Sequence, residues 1–245
     1  MTYALVADCV GKAFGNRRVL TAASLRARAG EVRAVFGRNG AGKSTLLRIA
    51  VGLLQPDSGT IRMGDDVMLR ASLPSLAARG VFYLPDHDLL APSYDLGLQL
   101  NLFARRFGRR RALDAARMAR VEHLLGRRVA TFSGGELRRA ELALVLTRNP
   151  TVLIADESYR GITPADHDEL TVLFRSLATD GCAVVITGHE VPSLLAAADH
   201  VTWCTNGTTH ELGPPEQACE HDAFRRGYLG AGFHGVAGAR GRPGS

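Results

Sequence analysis

The chain is short of lysine, of paired cysteines, of long apolar runs and of any export signal, and each shortage narrows what it can be. Of its 30 Lys and Arg residues only Lys12 and Lys43 are lysines. A residue type avoided almost everywhere raises the question of what those two positions do. The four cysteines, Cys9, Cys182, Cys204 and Cys219, lie far apart with no paired spacing for a metal. They are expected to be buried free thiols in a reducing compartment. No stretch reaches the roughly 18 apolar residues that a membrane span needs. The opening MTYALVADCV lacks the charged region and cleavage pattern of a secretory signal. A soluble, cytoplasmic chain is therefore expected.

What is present is material for a core. The 245 residues are 46% hydrophobic and 22% charged, which excludes a disordered chain, a disulfide-stapled miniprotein and a collagen-like fibre. The length suits one domain, or one domain with a subdomain. The net charge of +6 comes almost entirely from arginine. Nine arginines crowd the stretch 105–128, where Asp114 and Glu122 are the local acids. Such a cluster suits a nucleic-acid or lipid-headgroup surface, or a solvated helical face. The lack of interleaved aromatics for base stacking favours the solvated face, and no nucleic-acid partner is expected.

Residues 1–30 read as short alternating segments with a polar break at Gly15-Asn16-Arg17, the pattern of a small antiparallel sheet. Val32–Phe36 reads as a buried strand, and Lys43 to about Val51 as a helix. Thr60–Met63 and Val67–Leu69 read as a hairpin turning at Gly64-Asp65. GVFYLP, at 80–85, is another short apolar strand. The stretch from about Tyr94 to Val129 is helical in propensity. Beyond it, strand signals at Val152–Ala155 and Ala183–Thr187 alternate with helical ones at Glu136–Leu146 and Pro164–Ala178. Strands alternating with helices argue for a parallel α/β core. Residues 231–245 are too rich in glycine to pack and are expected to be a disordered tail.

Four motifs carry chemistry. Gly37-Arg38-Asn39-Gly40-Ala41-Gly42-Lys43-Ser44 is a complete G-x-x-x-x-G-K-S between a strand and a helix. Its backbone amides and the helix N-terminus cradle phosphates, Lys43 reaches the β/γ oxygens, and Ser44 offers its hydroxyl to Mg²⁺. Val152-Leu153-Ile154-Ala155-Asp156-Glu157 is an apolar strand ending in two acids. Asp156 suits a metal and Glu157 the polarisation of an attacking water. Phe132-Ser133-Gly134-Gly135-Glu136 opens a helix, as an anion site or as an ordinary N-cap. His189 follows the strand Ala183–Thr187.

In this order and spacing the four motifs resemble the ATP-binding cassette (ABC) ATPases, over about residues 3–230. The Gly-Lys-Ser loop is shared by all P-loop proteins; FSGGE upstream of the acidic strand is what singles out this family. The resemblance implies an α/β fold: a P-loop NTPase with a RecA-like core, an N-terminal antiparallel β-subdomain and an inserted α-helical subdomain at about 87–132. It implies ATP and Mg²⁺ as ligands, with Asn39, Gly40, Ala41, Gly42 and Thr45 in the phosphate loop. It places Phe14 under the adenine, His189 at the γ-phosphate, and Ser133, Gly134 and Gly135 on the ATP of a second cassette. The ending Arg225-Arg226-Gly227-Tyr228-Leu229-Gly230 and the text FSGGELRRAELALVL are similar to branched-chain amino-acid and lipopolysaccharide-export ATPases. Those proteins bind integral-membrane permeases, so the resemblance implies a peripheral place on the inner membrane face.

The chain departs from the family pattern at several points. Asp86 replaces a glutamine, Ser158 replaces the proline after the catalytic Glu157, and Thr163 falls where an aspartate is usual. The segment between Asp86 and the FSGGE motif is about ten residues short. Asp86 is expected to enter the Mg²⁺ shell of the closed site, since a carboxylate is a hard oxygen ligand. The sequence Asp156-Glu157-Ser158 is also similar to soluble ABC ATPases of iron–sulfur assembly, and Asp86 and Thr163 leave open a nucleotide-dependent clamp with weak turnover.

Overall fold

A computed structural model describes residues 3–230 and 233. Most of the expected glycine-rich tail, 231–245, lies outside the described residues. Strands β1 (Leu5–Phe14) and β2 (Arg17–Ala27) form an antiparallel hairpin about Gly15-Asn16. After β3 (Val32–Phe36) come helix α1 (Lys43–Ala50) and a second hairpin, β4 (Ser58–Met63) with β5 (Asp66–Met68). Helix α2 (Leu73–Ala78) leads into β6 (Val81–Leu84). Helices α3 (Leu96–Phe107) and α4 (Arg109–Met118) meet at Gly108 and pack against each other and on α5 (Gly134–Arg148). This is the stretch expected to be helical. Then follow β7 (Val152–Ala155), α6 (Pro164–Thr179), β8 (Ala183–Thr187) and α7 (Val191–Ala197). The described chain ends with β9 (His200–Thr205), β10 (Thr208–Gly213), α8 (Pro215–Glu220) and α9 (Asp222–Phe224).

All ten strands share one sheet, in the order β5-β4-β1-β2-β10-β9-β3-β8-β7-β6. Strands β9, β3, β8, β7 and β6 run parallel. The central strands β7 and β8 are buried throughout and read as near-continuous apolar runs because both faces of this half are covered. Successive side chains alternate between two cores. Val32, Ala34 and Phe36 of β3 pack towards α5, α6 and α7, while Val35 joins Ile154, Val185 and the apolar face of α1. The β1, β2, β4 and β5 ribbons are antiparallel and join the parallel half through one pair, Thr208 with Ala22.

Two expectations are revised. Cys9 is exposed, not buried; it stands in β1 with φ +48° at an irregularity in the ladder, and the local kink turns its side chain out of the core. The β9–β10 hairpin was not anticipated. Its residues are mixed (HVTWCT and TTHELG) because one of its strands is buried in the sheet while β10 stays half exposed.

The C-terminal segment props the strand that launches the glycine loop. Phe224 is wholly buried, with its ring centroid 5.6 Å from Phe36, 5.7 Å from Trp203 and 5.5 Å from the near-parallel Tyr228. Phe224→Ala is expected to destabilise the chain by about 3–5 kcal/mol, lowering the melting temperature by roughly 6–20 °C for this size. An unchanged melt would show that this segment does not hold β3.

Candidate functional site

The parallel register brings the motif-bearing loops to one edge. Val35 pairs with Thr187, Ile186 with Ala155, and Ala155 with Leu84. The segments beyond β3, β8, β7 and β6 therefore emerge side by side. They carry Gly37–Ser44, His189, Asp156-Glu157 and Asp86. Ligands of open α/β sheets bind at this carboxyl edge.

The loop after β3 fits a phosphate group. Gly42 caps α1 with φ +105°, a left-handed conformation that strains any residue with a side chain. Lys43 is only 5% exposed. Its ammonium donates to the Gly37 carbonyl at 2.8 Å. Among the described residues that is its one partner, leaving two of three donors for an anion. Ser44 and Thr45 are half-buried, whereas Asn39 and Gly40 are exposed. Beside the loop opens a cleft of about 420 Å³ whose charged residues are Arg17, Arg18 and Arg38. The second lysine stands nearby in sequence to the expected adenine platform. Lys12 Nζ lies 5.8 Å from the Phe14 ring centroid and 2.7 Å from Asp57, while Phe14 is exposed.

Beyond β7, Asp156 is buried at 3% exposure with no cation paired to it among the described residues. Thr187 donates to its Oδ1 at 2.8 Å. The Tyr83 phenol approaches Oδ2 at 3.4 Å; burial and this neighbouring carboxylate push its pKa up to about 12. A buried carboxylate held by hydroxyls alone, with the Ser44 hydroxyl in the adjoining loop, supplies the hard oxygens that a divalent cation takes. The residues present fit Mg²⁺.

Glu157 adopts φ +47°, a left-handed conformation that costs an ordinary residue roughly 1–2 kcal/mol. Three contacts impose it. Its N–H donates to Thr187 Oγ1 at 3.0 Å, Arg138 Nη2 donates to its carbonyl at 3.2 Å, and the next N–H, of Ser158, donates to the Thr187 carbonyl at 2.7 Å. A proline at 158 has no such donor. The Glu157 carboxylate then lies 3.2 Å from His189 Nε2, so the structure brings these two site residues together.

Arg138 shapes this site, although the motifs alone do not point to it. Buried in α5, it donates to the carbonyls of Pro85, Asp156, Glu157 and Ser158 and to the Glu141 carboxylate, at 2.8–3.2 Å. Thr187 was likewise missed. An Arg two residues past FSGGE was the available signal, but nothing in the sequence separates it from Arg139.

The FSGGE residues cap the start of α5. The Ser133 hydroxyl accepts from the Glu136 N–H and the Glu136 carboxylate accepts from the Ser133 N–H, a reciprocal cap that lowers the Glu136 pKa. Ser133 and Gly134 are exposed. A Cβ on Gly134 would lie 1.9 Å from the Gly161 carbonyl, and one on Gly135 2.4 Å from Asp166. Thr163 donates to Asp166, which also pairs with Arg139. Asp86 has one oxygen 2.8 Å from Arg160 and the other 3.2 Å from His87.

The chain is similar in sequence and fold to known proteins. Residues 20–160 fit the family described as ABC transporter. The lipopolysaccharide export system ATP-binding protein LptB of Escherichia coli strain K12 is 31% identical over 237 residues, covering 94% of this chain and 98% of LptB. The zinc import ATP-binding protein ZnuC of Paramagnetospirillum magneticum is 34% identical, covering 86% and 76%. In fold, the chain is similar to the ADP conformation of MJ1267, an ATP-binding cassette of an ABC transporter, with TM-score 0.80, 22% identity and coverage of 89% and 93%. It is similar also to the dimeric post-hydrolysis cassette MJ0796 bound to ADP and Pi, with TM-score 0.75, 21% identity and coverage of 85% and 98%.

Arg138→Met leaves Glu141, whose pKa burial already raises, without its counter-charge, and is expected to cost about 3–5 kcal/mol in urea unfolding. Adding Glu141→Leu removes the stranded carboxylate and should recover part of that loss. The unrecovered part reports the four carbonyl contacts. Complete recovery would show that they contribute nothing.

Proposed function

The chain belongs to the ABC transporter family, and on that footing we propose that it is the Mg²⁺-dependent ATP-hydrolysing subunit of a transporter, working as a pair of cassettes on a separate membrane permease. The observation that carries this reading is the gathering of the Lys43 loop, the unpaired buried Asp156 and the Glu157–His189 pair at one sheet edge. The export role of LptB and the import role of ZnuC support the transporter over a soluble assembly ATPase. A permease would hold the chain on the inner face of the membrane.

In this reading the loop amides and Lys43 bind the phosphate chain, while Ser44 and Asp156 hold the metal. Bound Mg²⁺ neutralises charge on the phosphates. Glu157 takes a proton from the attacking water, and its tied backbone fixes where the carboxylate stands. His189, half exposed beside that carboxylate, orients it and faces the open side. Ser133 and Gly134 are exposed, as a donor set for the nucleotide of a second copy requires; the dimeric MJ0796 cassette supports such pairing. Phe14 remains the platform proposed for the base.

Glu157→Gln should keep ATP binding yet lower turnover by about two orders of magnitude, the range for losing a general base. It should also run as a dimer in gel filtration at saturating Mg-ATP. A monomer under those conditions would count against paired cassettes, and unchanged turnover would favour another base.

Asp86 is proposed to leave Arg160 for the metal shell. That ion pair is largely exposed on the Arg160 side, so opening it costs little. Asp86→Asn should raise the Mg²⁺ concentration for half-maximal ATPase with little change in ATP affinity. Superimposable Mg²⁺ curves would leave Asp86 as the partner of Arg160 alone.

A further inference from the structure

The corner between α3 and α4 is the most concentrated charge on the molecule. Arg105 and Arg106 end α3, Gly108 turns the chain with φ +106°, and Arg109, Arg110 and Arg111 open α4. All five are exposed. A helix rises 1.5 Å per residue, so the two groups stand within about one helical turn of the corner. Several arginines elsewhere are neutralised at short range: Arg120 by Glu169 at 2.7 Å, Arg160 by Asp86 at 2.8 Å, Arg175 by Asp199 at 2.9 Å. At the corner the one acid paired to an arginine among the described residues is Asp114, 4.0 Å from Arg110 and shared with Arg117. Arg105, Arg109 and Arg111 pair with no acid among the described residues. Asp180 lines the groove beneath Arg110 and Arg111 and is the other acid there.

This arrangement opposes the stability of the protein itself. Three cations occupy the first turn of α4, with no acid in that turn and no side-chain cap; cations there face the positive end of the helix dipole. The balance is corrected by negative charge from outside. Two apolar side chains flank the arginines in the open: Leu102 on α3 is 54% exposed and Leu113 on α4 is 47% exposed. Cations beside exposed leucines match the headgroup layer of a bilayer, where arginine meets phosphate and leucine enters the acyl boundary. Nucleic acid fits less well. Stacking on bases needs a free aromatic face, and Phe107, the aromatic at the corner, has Arg148 4.8 Å and Arg106 6.0 Å from its ring centroid.

We propose that the α3–α4 corner is a docking surface for the anionic phospholipid headgroups of a bilayer, engaged by the cassette directly and without a permease. The inference does not depend on the transporter reading, because the purified chain alone is the test. Co-sedimentation is measured with phosphatidylcholine vesicles containing either none or 40% phosphatidylglycerol, at 0.1 M salt, where the screening length is about 10 Å. The wild type should bind the anionic vesicles, leave the neutral ones, and detach at 0.5 M salt. Each arginine near such a surface contributes up to about fivefold. Changing Arg105, Arg106, Arg109, Arg110 and Arg111 together to Gln should therefore lower partitioning at least tenfold, with ATPase activity in the absence of vesicles unchanged. The same five changed to Lys should keep binding, which guards against a Gln variant that fails to fold. Arg70→Gln, Arg225→Gln and Arg226→Gln combined, at a distance along the chain, should leave binding within twofold. Retained binding by the Gln variant, equal loss in that distant set, or no difference between the two vesicles would overturn the proposal. Tighter binding to a single-stranded oligonucleotide than to the anionic vesicles would overturn it as well, and assign the corner to nucleic acid.

Discussion

One buried guanidinium ties the site together. Arg138 spends its five donors on four backbone carbonyls and one carboxylate, and those carbonyls belong to two different loops. Pro85 precedes Asp86; Asp156, Glu157 and Ser158 form the turn after β7. Arginine can do this because its donors form a rigid planar fork, whereas lysine offers a single point with three rotating donors. The hub sits on α5, five residues past Ser133, which caps the start of the same helix. A shift of that helix along its axis must therefore be felt at the backbone of the acidic turn. Burial of the Arg138–Glu141 pair makes the link stiff: a cation at 5% exposure and an acid at 3% cannot part without stranding a charge.

The three departures from the family pattern are absorbed by contacts rather than left as defects. Ser158 gives Thr187 an N–H that proline lacks, and its hydroxyl returns to the Ala155 carbonyl at 3.1 Å. Thr163 donates to Asp166, and that hydrogen bond, ahead of the Arg139 pair, holds the Asp166 carboxyl below its ordinary range. Asp166 in turn fills the space over Gly135. Asp86 gathers Arg160 and His87. Each substituted residue bonds a group within its own loop or on the facing one, which is how such changes persist together.

Much of this was legible from residues alone because it is local. A glycine loop between a strand and a helix, an apolar strand ending in acids, and turns at Gly15-Asn16 and Gly64-Asp65 each announce themselves within ten residues. The β9–β10 hairpin did not, since its partners, β3 and β2, lie far away in sequence and its alternation is blurred by unequal burial of its faces. Cys9 misled for a related reason: an apolar neighbourhood predicts burial, but a kink in the ladder reverses one side chain. Arg138 and Thr187 were invisible because their roles rest on carbonyls and a hydroxyl brought together only by the sheet register. Composition cannot separate such an arginine from the many that serve the surface.

The left-handed backbone at Glu157 also bears on how the chain could change over time. At φ +47° a glycine sits without strain and an asparagine nearly so. Of the substitutions that relieve the backbone, glycine and asparagine delete the carboxylate beside His189, and aspartate draws it back by one methylene. Unselected drift, or a screen for heat resistance alone, would therefore push position 157 towards inert but sturdier proteins. If Glu157 has the proposed role, its persistence in a lineage records continuing demand for the chemistry, and its loss would be an early mark of a cassette turned from engine to scaffold.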